Sequence, residues 1–305
     1  QVALGVEECS CLVPGTCDVP SGSNPCSPDA ESEGAVPGPD TDGDGVPDNY
    51  DCAYDDPSVS GSSPELPGNG VDDNCNGIID EVVEAGGGWG GFALFMARNY
   101  GAQVRSFNIA REQIAWSRDW AKAEQLGGRV EFIEDDYRNI TGRYDAFVSV
   151  GMLEHVGRGN YRQLGALIKR VLTPEGRGLV HSIGRDRPRP LNPWIARRIF
   201  PGAYPPTLRE MMEIFEPNGL SVLDVENLRL HYARTLEHWL ENYEVQVDAI
   251  RSMFDEAFVR AWRLYLTGSN RAFEQGSLQL FQVLFSRSGM NAIPRTRAHL
   301  YASGD

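Results

Sequence analysis

No stretch of this chain restricts its fold as tightly as Glu81-Val82-Val83-Glu84-Ala85-Gly86-Gly87-Gly88-Trp89-Gly90-Gly91. A short β-branched run ends in an acidic residue and a burst of glycines, and Phe92 to Arg98 follow with helical spacing. The order is strand, tight turn, helix. Glycines suit such a turn because the backbone must bend sharply, present bare N–H groups and let a ligand approach where a Cβ would collide. The pattern is E-x-G-x-G-x-G, with Glu84, Gly86, Gly88 and Gly90 in the named places, and a nucleotide-like cofactor is its expected occupant. A plain strand-to-helix turn is the competing reading, so the following residues must decide.

Strands and helices then alternate, which predicts a mostly parallel sheet with helices on both faces. Strands are expected over 103–107, 129–133, 144–150 and 178–183, with helices over 111–126 and 161–172, the latter stopped by Thr173-Pro174-Glu175-Gly176. Ligands of such sheets collect at the carboxyl ends of the strands. There the sequence sets Glu84, Asn108 to Gln113, Asp135-Asp136-Tyr137, Gly151 to Glu154 and His181-Ser182-Ile183-Gly184. The second strand lacks the terminal acidic residue that would hold an NAD ribose, which argues against a dehydrogenase.

Composition divides the chain in front of this region. All six cysteines precede residue 82, and residues 1–81 hold 18 Asp/Glu with no Lys or Arg, leaving 25 acids against 28 basic residues beyond. The two parts carry about −18 and +3, and neither suggests nucleic-acid binding. An even cysteine count in a Gly/Pro/Asp-rich segment reads as a disulfide framework and a secreted setting, whereas the cysteine-free remainder reads as cytoplasmic. No apolar run is long enough to span a membrane and no signal peptide is visible; a chain starting at Gln1 is expected to lack an upstream piece.

Three segments follow. Residues 1–39 are an irregular Cys/Pro/Gly-rich stretch, 40–81 a metal-binding repeat, and 82–305 the α/β domain. In the repeat, Asp40, Asp42, Asp44, Asp48 and Asp51 supply oxygens at ligand spacing around a glycine at the sixth position, as a loop wrapping Ca²⁺ requires. Asp72, Asn74, Asn76 and Asp80 form a weaker second version; a solvated acidic linker is the alternative. The segment resembles the Asp/Cys-rich metal-binding repeats of secreted bacterial proteins and, more loosely, thrombospondin type 3 and dockerin loops. Cys52–Cys75 is the favoured disulfide, and the pairing of Cys9, Cys11, Cys17 and Cys26 stays open.

From residue 82 onward the ordered motifs carry a second resemblance. They are the glycine loop, Asp136-Tyr137-Arg138, Ser149 to Gly157, His181 to Gly184, Pro193-Trp194-Ile195, Ile199 to Gly202, Leu228 to Thr235, Arg260 to Leu266, Leu280 to Val283 and Pro294 to Arg297. Together they resemble the cyclopropane-fatty-acyl-phospholipid and mycolic acid cyclopropane synthases. The resemblance implies a class I S-adenosylmethionine (SAM)-dependent methyltransferase fold, Rossmann-like, acting on the cis double bonds of unsaturated phospholipid acyl chains at a membrane surface. It implies bicarbonate as proton acceptor, held by Glu154, His181 and Tyr232 side chains and the Ile183 backbone. Glu84, Gly86, Gly88, Gly90 and Gly151 would then line the cofactor, with Gln113 at its ribose and Asp136 at its adenine.

Arg185, Arg187, Arg189, Arg197 and Arg198 are interleaved with Pro and aromatic residues, which suits a face meeting anionic lipid. Residues 236–270 read as inserted helices whose Trp239, Tyr243, Phe254, Phe258, Trp262 and Tyr265 pack a core or wall an acyl tunnel. The sequence departs from the family in Gly87, where cysteine is usual, and in the Asp/Cys-rich segment standing where a helical cofactor cover is expected. Two further readings follow: a secreted Ca²⁺-binding protein joined to a truncated, inactive synthase, or a SAM methyltransferase acting on another lipid.

Overall fold

A computed structural model describes residues 39–43, 47, 55, 57, 81–291 and 295–297. The six cysteines and Asp44, Asp48, Asp51, Asp72, Asn74, Asn76 and Asp80 lie outside the described residues, as does residue 1–38 chain. At Asp40 the carboxylate accepts the Gly43 amide at 2.8 Å. Among the described residues no group of three or more His, Cys, Asp or Glu is placed to hold a metal ion.

Seven strands form one sheet: β1 (Glu81–Ala85), β2 (Gln103–Asn108), β3 (Val130–Glu134), β4 (Tyr144–Val150), β5 (Leu172–Arg185), β6 (Leu220–Asn227) and β7 (Leu278–Arg287). Their order is β3-β2-β1-β4-β5-β7-β6, and only β7 runs antiparallel to its neighbours. Every residue of β1 is buried, as expected of a central strand covered on both faces. Its alternation divides the core. Val83 joins a cluster under α4 (Tyr161–Val171) and α6 (Leu208–Phe215), and Val82 one under α1 (Gly91–Tyr100) and α2 (Arg111–Ala123).

α4 and α6 touch at Gly165, where a Cβ would lie 1.9 Å from the Ile214 carbonyl oxygen. Thr207 opens α6 with a capping box, its hydroxyl taking the Glu210 amide while the Glu210 carboxylate takes the Thr207 amide. Short helices α3 (Leu153–Val156) and α5 (Pro193–Arg198) follow β4 and β5. Between β6 and β7 the chain makes an excursion through α7 (Arg229–Val245), α8 (Val247–Met253) and α9 (Glu256–Glu274), which builds a third cluster with Leu280 and Ile183.

Three details differ from the sequence reading. Thr173 to Gly176 lie within β5, because a register shift lets Leu172 pair with Tyr144 and Arg177 with Ala146. β6, α5 and α6 were not anticipated, and the inserted helices begin at Arg229 and end at Glu274. No helix among the described residues is long and apolar enough to cross a membrane.

Candidate active site

The glycine loop adopts the geometry its composition requires. Gly86, Gly88 and Gly90 have φ of +87°, +52° and +84°, where L side chains are strained. A Cβ on Gly88 would meet nothing within 4 Å, so this turn faces open space. A Cβ on Gly90 would lie 2.7 Å from Ser117 Oγ and 2.8 Å from the Phe132 ring, so this glycine instead admits the close packing of α1 on α2 and β3. The amides of Gly86 and Gly87 donate to the Phe107 carbonyl, tying the turn to β2.

Glu84 lies beneath this turn. It is 2% exposed, and the Ser106 hydroxyl donates to its Oε2 at 2.6 Å. Burial pushes its pKa up to about 7, against the smaller pull of that hydrogen bond. The carboxylate expected to line the cofactor is thus anchored to β2 through Ser106. Asn108, placed on the ligand rim by the sequence but given no role of its own, donates both to the Gly88 carbonyl at 3.0 Å and to Gln113 Oε1 at 2.8 Å, so it fixes Gln113 against the turn. Asp136 caps a short 3₁₀ turn, and its carboxylate is engaged by Arg138 at 2.6 and 2.8 Å, which holds it below the usual carboxylate range. Gly151, with φ of +68°, closes the rim by donating its amide to the His181 carbonyl at 2.9 Å.

The proposed anion residues converge at the same edge. The Ile183 amide donates to Glu154 Oε1 at 2.6 Å, so the N–H expected to hold the anion is here occupied by the carboxylate. Glu154 Oε2 and His181 Nδ1 are both buried with no hydrogen-bond partner. Burial pushes Glu154 up and His181 down to about 4, so the imidazole is neutral near pH 7. His181 and Ile183 share one face of β5 by alternation, and Ile183 and Tyr232 both pack against the cluster built by α7, α9 and Leu280. Burial, then the nearby Tyr265 hydroxyl and Glu154 carboxylate, push the Tyr232 phenol up.

A file of aromatic rings runs from exposed His155, next to Glu154 in sequence, across the inserted helices. Ring centroids are separated by 6.1 Å to Phe200, 5.8 Å to Tyr265, 5.2 Å to Trp262, 5.8 Å to Phe258 and 4.2 Å to Phe254, which is half exposed. These are the separations of paired rings. Arg185, expected on a lipid-facing surface, is only 6% exposed, whereas Arg187, Arg197 and Arg198 are open to solvent.

A family model described as mycolic acid cyclopropane synthetase matches residues 78–283. A probable fatty acid methyltransferase of Pseudomonas putida is 38% identical over 238 residues, covering 73% of this chain and 59% of that protein. The cyclopropane-fatty-acyl-phospholipid synthase of Escherichia coli (strain K12) is 36% identical over 213 residues, covering 70% and 54%. The cyclopropane synthase MmaA2 from Mycobacterium tuberculosis shares the fold at a TM-score of 0.64 and 24% identity, covering 69% of this chain and 79% of that one. So does the mycolic acid cyclopropane synthase CmaA1 complexed with SAH and CTAB, at 0.64, 22% identity and the same coverage. The chain spans somewhat over half the length of the curated relatives it matches. Sheet order, glycine turn and matched length agree: the chain carries a class I SAM-dependent methyltransferase fold and belongs to the mycolic acid cyclopropane synthetase family.

Proposed function

We propose that this protein moves the SAM methyl group to the cis double bond of an unsaturated phospholipid acyl chain, which then loses a proton to close a cyclopropane ring. The observation carrying this reading is a pair of buried polar atoms without hydrogen-bond partners, Glu154 Oε2 just after β4 and His181 Nδ1 on the adjoining β5, in a sheet whose first strand ends in a bare glycine turn. The turn fits SAM: Gly88 leaves room for a close approach, and Asn108 holds Gln113 beside it. When bound there, SAM supplies an electrophilic methyl group.

An alkene is a poor nucleophile, so the chain must hold it against that methyl and keep water from trapping the resulting positive charge. The partly buried rings of the file, Phe258, Trp262 and Tyr265, suit both tasks, since they are largely apolar and their faces favour a cation. Proton removal falls to the buried edge. Glu154, with its pKa raised, can donate a hydrogen bond from its protonated form, and neutral His181 and Tyr232 offer further partners. This donor set fits bicarbonate, whose binding would require Ile183 to exchange its bond to Glu154. The Ca²⁺ reading of residues 40–81 is supported by its ligand spacing, and calcium-dependent protease resistance lost in Asp44→Ala would test it.

A second product class is favoured by the relatives named as fatty acid methyltransferases, including the tuberculostearic acid methyltransferase UfaA1 of Mycobacterium tuberculosis. Fatty-acid analysis of a host expressing the chain separates them. Methylene-bridged chains are expected, methyl-branched chains would select the second class, and neither product together with no heat on titrating millimolar SAM would defeat both.

A further inference from the structure

Beyond the end of β5 lies a cavity of about 900 Å³ with no part in the chemistry above. It is walled by β5, β7, the first turn of α6 and the residues after α3. Four arginines line it, Arg158, Arg185, Arg187 and Arg209, against three acids. Those acids are already engaged: Glu210 by Arg158, the Tyr204 hydroxyl and the Thr207 amide; Glu213 by Arg162; Asp186 by Arg187 and Arg189. Arg209 makes no ion pair among the described residues.

Arg185 is the decisive residue. Its side chain is buried, one Nη donates to the carbonyls of Arg189 and Pro190, and its Nε is buried with no partner. No carboxylate forms an ion pair with it among the described residues; Asp186 attracts it at longer range, and that carboxylate is shared with Arg187 and Arg189. A guanidinium taken out of water without a counter-charge costs several kcal/mol, and it is kept where an anion repays that cost. A planar fork beside further arginines matches the paired oxygens of a phosphate.

The cavity and the chemical edge are joined. Arg158 lies four residues past Glu154 and Arg185 two past Ile183, while Tyr204 donates its amide to the Glu154 carbonyl and its hydroxyl to Glu210 in the cavity wall. We propose that this cavity is a phosphate subsite that holds the headgroup phosphodiester of the lipid while the acyl chain reaches the Glu154–His181 edge. The inference rests on the lipid reading above, and it names the part of the substrate recognised away from the double bond.

The test uses the full chain with vesicles of dioleoylphosphatidylglycerol and, separately, with monoolein, which lacks phosphate. Loss of one charge-assisted contact should raise the phosphatidylglycerol concentration for half-maximal methyl transfer about tenfold in Arg185→Gln and in the exposed Arg209→Ala. The KM for SAM and the rate on monoolein should not change. Inorganic phosphate should compete with phosphatidylglycerol in the parent and lose that effect in Arg185→Gln. Phosphate competition with unaltered lipid kinetics in both variants would mean a free-phosphate site and overturn the headgroup assignment. No competition and no shift would overturn the subsite itself. Should no lipid be methylated, calorimetric binding of phosphate that disappears in both variants would uphold the anion site while the lipid reading fails, and its absence would sink both.

Discussion

Ser106 Oγ stands 2.6 Å from Glu84 Oε2, and the same hydroxyl would lie 1.8 Å from a Cβ on Gly87. One side chain on β2 thus holds the buried carboxylate and dictates the residue above it. Glycine at position 87, where the family usually carries cysteine, is what Ser106 leaves room for.

The pair should be coupled. Gly87→Ala is expected to cost about 1–3 kcal/mol through collision with Ser106 Oγ and, at 2.9 Å, Glu84 Oε2, and in the Ser106→Gly background, which already lacks the bond to Glu84, the same change should cost less. Urea unfolding of the two single variants and the double variant checks this; strictly additive losses would refute the coupling.

Glu84 makes stability fall with rising pH. Its pKa is 4.5 as an ordinary glutamate and about 7 in the fold. Below both values it is protonated in either state; between them the unfolded chain releases its proton first, and above about 7 the fold bears the full cost, roughly 3 kcal/mol. Glu84→Gln should abolish that downward slope, as measured by unfolding across the window.

His181 tilts the profile the other way. Its pKa falls from 6.5 to about 4 in the fold, so as pH drops through that range the unfolded chain takes up a proton that the fold refuses, and stability is lost. His181→Gln should flatten the loss of stability on the acid side of this window, the opposite of the change expected in Glu84→Gln. Methyl transfer should fall at least about 100-fold, with calorimetric SAM affinity retained; loss of SAM binding instead would remove His181 from the chemistry.

Packing of α4 on α6 offers a test away from the site. The Ile214 carbonyl is backbone and cannot swing aside, so Gly165→Ala should lower stability by about 1–3 kcal/mol or more. A melting temperature equal to the parent's would contradict the observed approach.

The aromatic file predicts a selective defect. Phe258→Ala opens the stack between Phe254 and Trp262, and it should slow transfer to long acyl chains several-fold while leaving SAM affinity alone. Equal loss on long and short chains would assign Phe258 to packing only.

The glycine turn was legible because its requirement is local: Gly86, Gly88 and Gly90 must each take a positive φ, and composition announces that. The parallel order was legible from alternating strands and helices. Ser106 was not, since its partnership with Glu84 depends on the register of β1 against β2, which no local pattern specifies. Arg185 was read with its surface neighbours, yet the Thr207 bridge and the Pro206 carbonyl draw its backbone into the sheet end and bury it. His181 and Tyr232 stand about 50 residues apart in sequence. Their expected association came from resemblance to a family, because the placing of α7 and β7 against β5 leaves no trace in either residue's local sequence.

The excursion from β6 to β7 leaves and re-enters the sheet on adjacent antiparallel strands, with Asn227 set against Phe281 at its neck. Such a neck makes α7, α8 and α9 a replaceable cassette. An exchange of this insert would have to keep Tyr232 and the face of α7 and α9 that packs with Ile183 and Leu280, so only its outer surface is free to vary without disturbing the sheet.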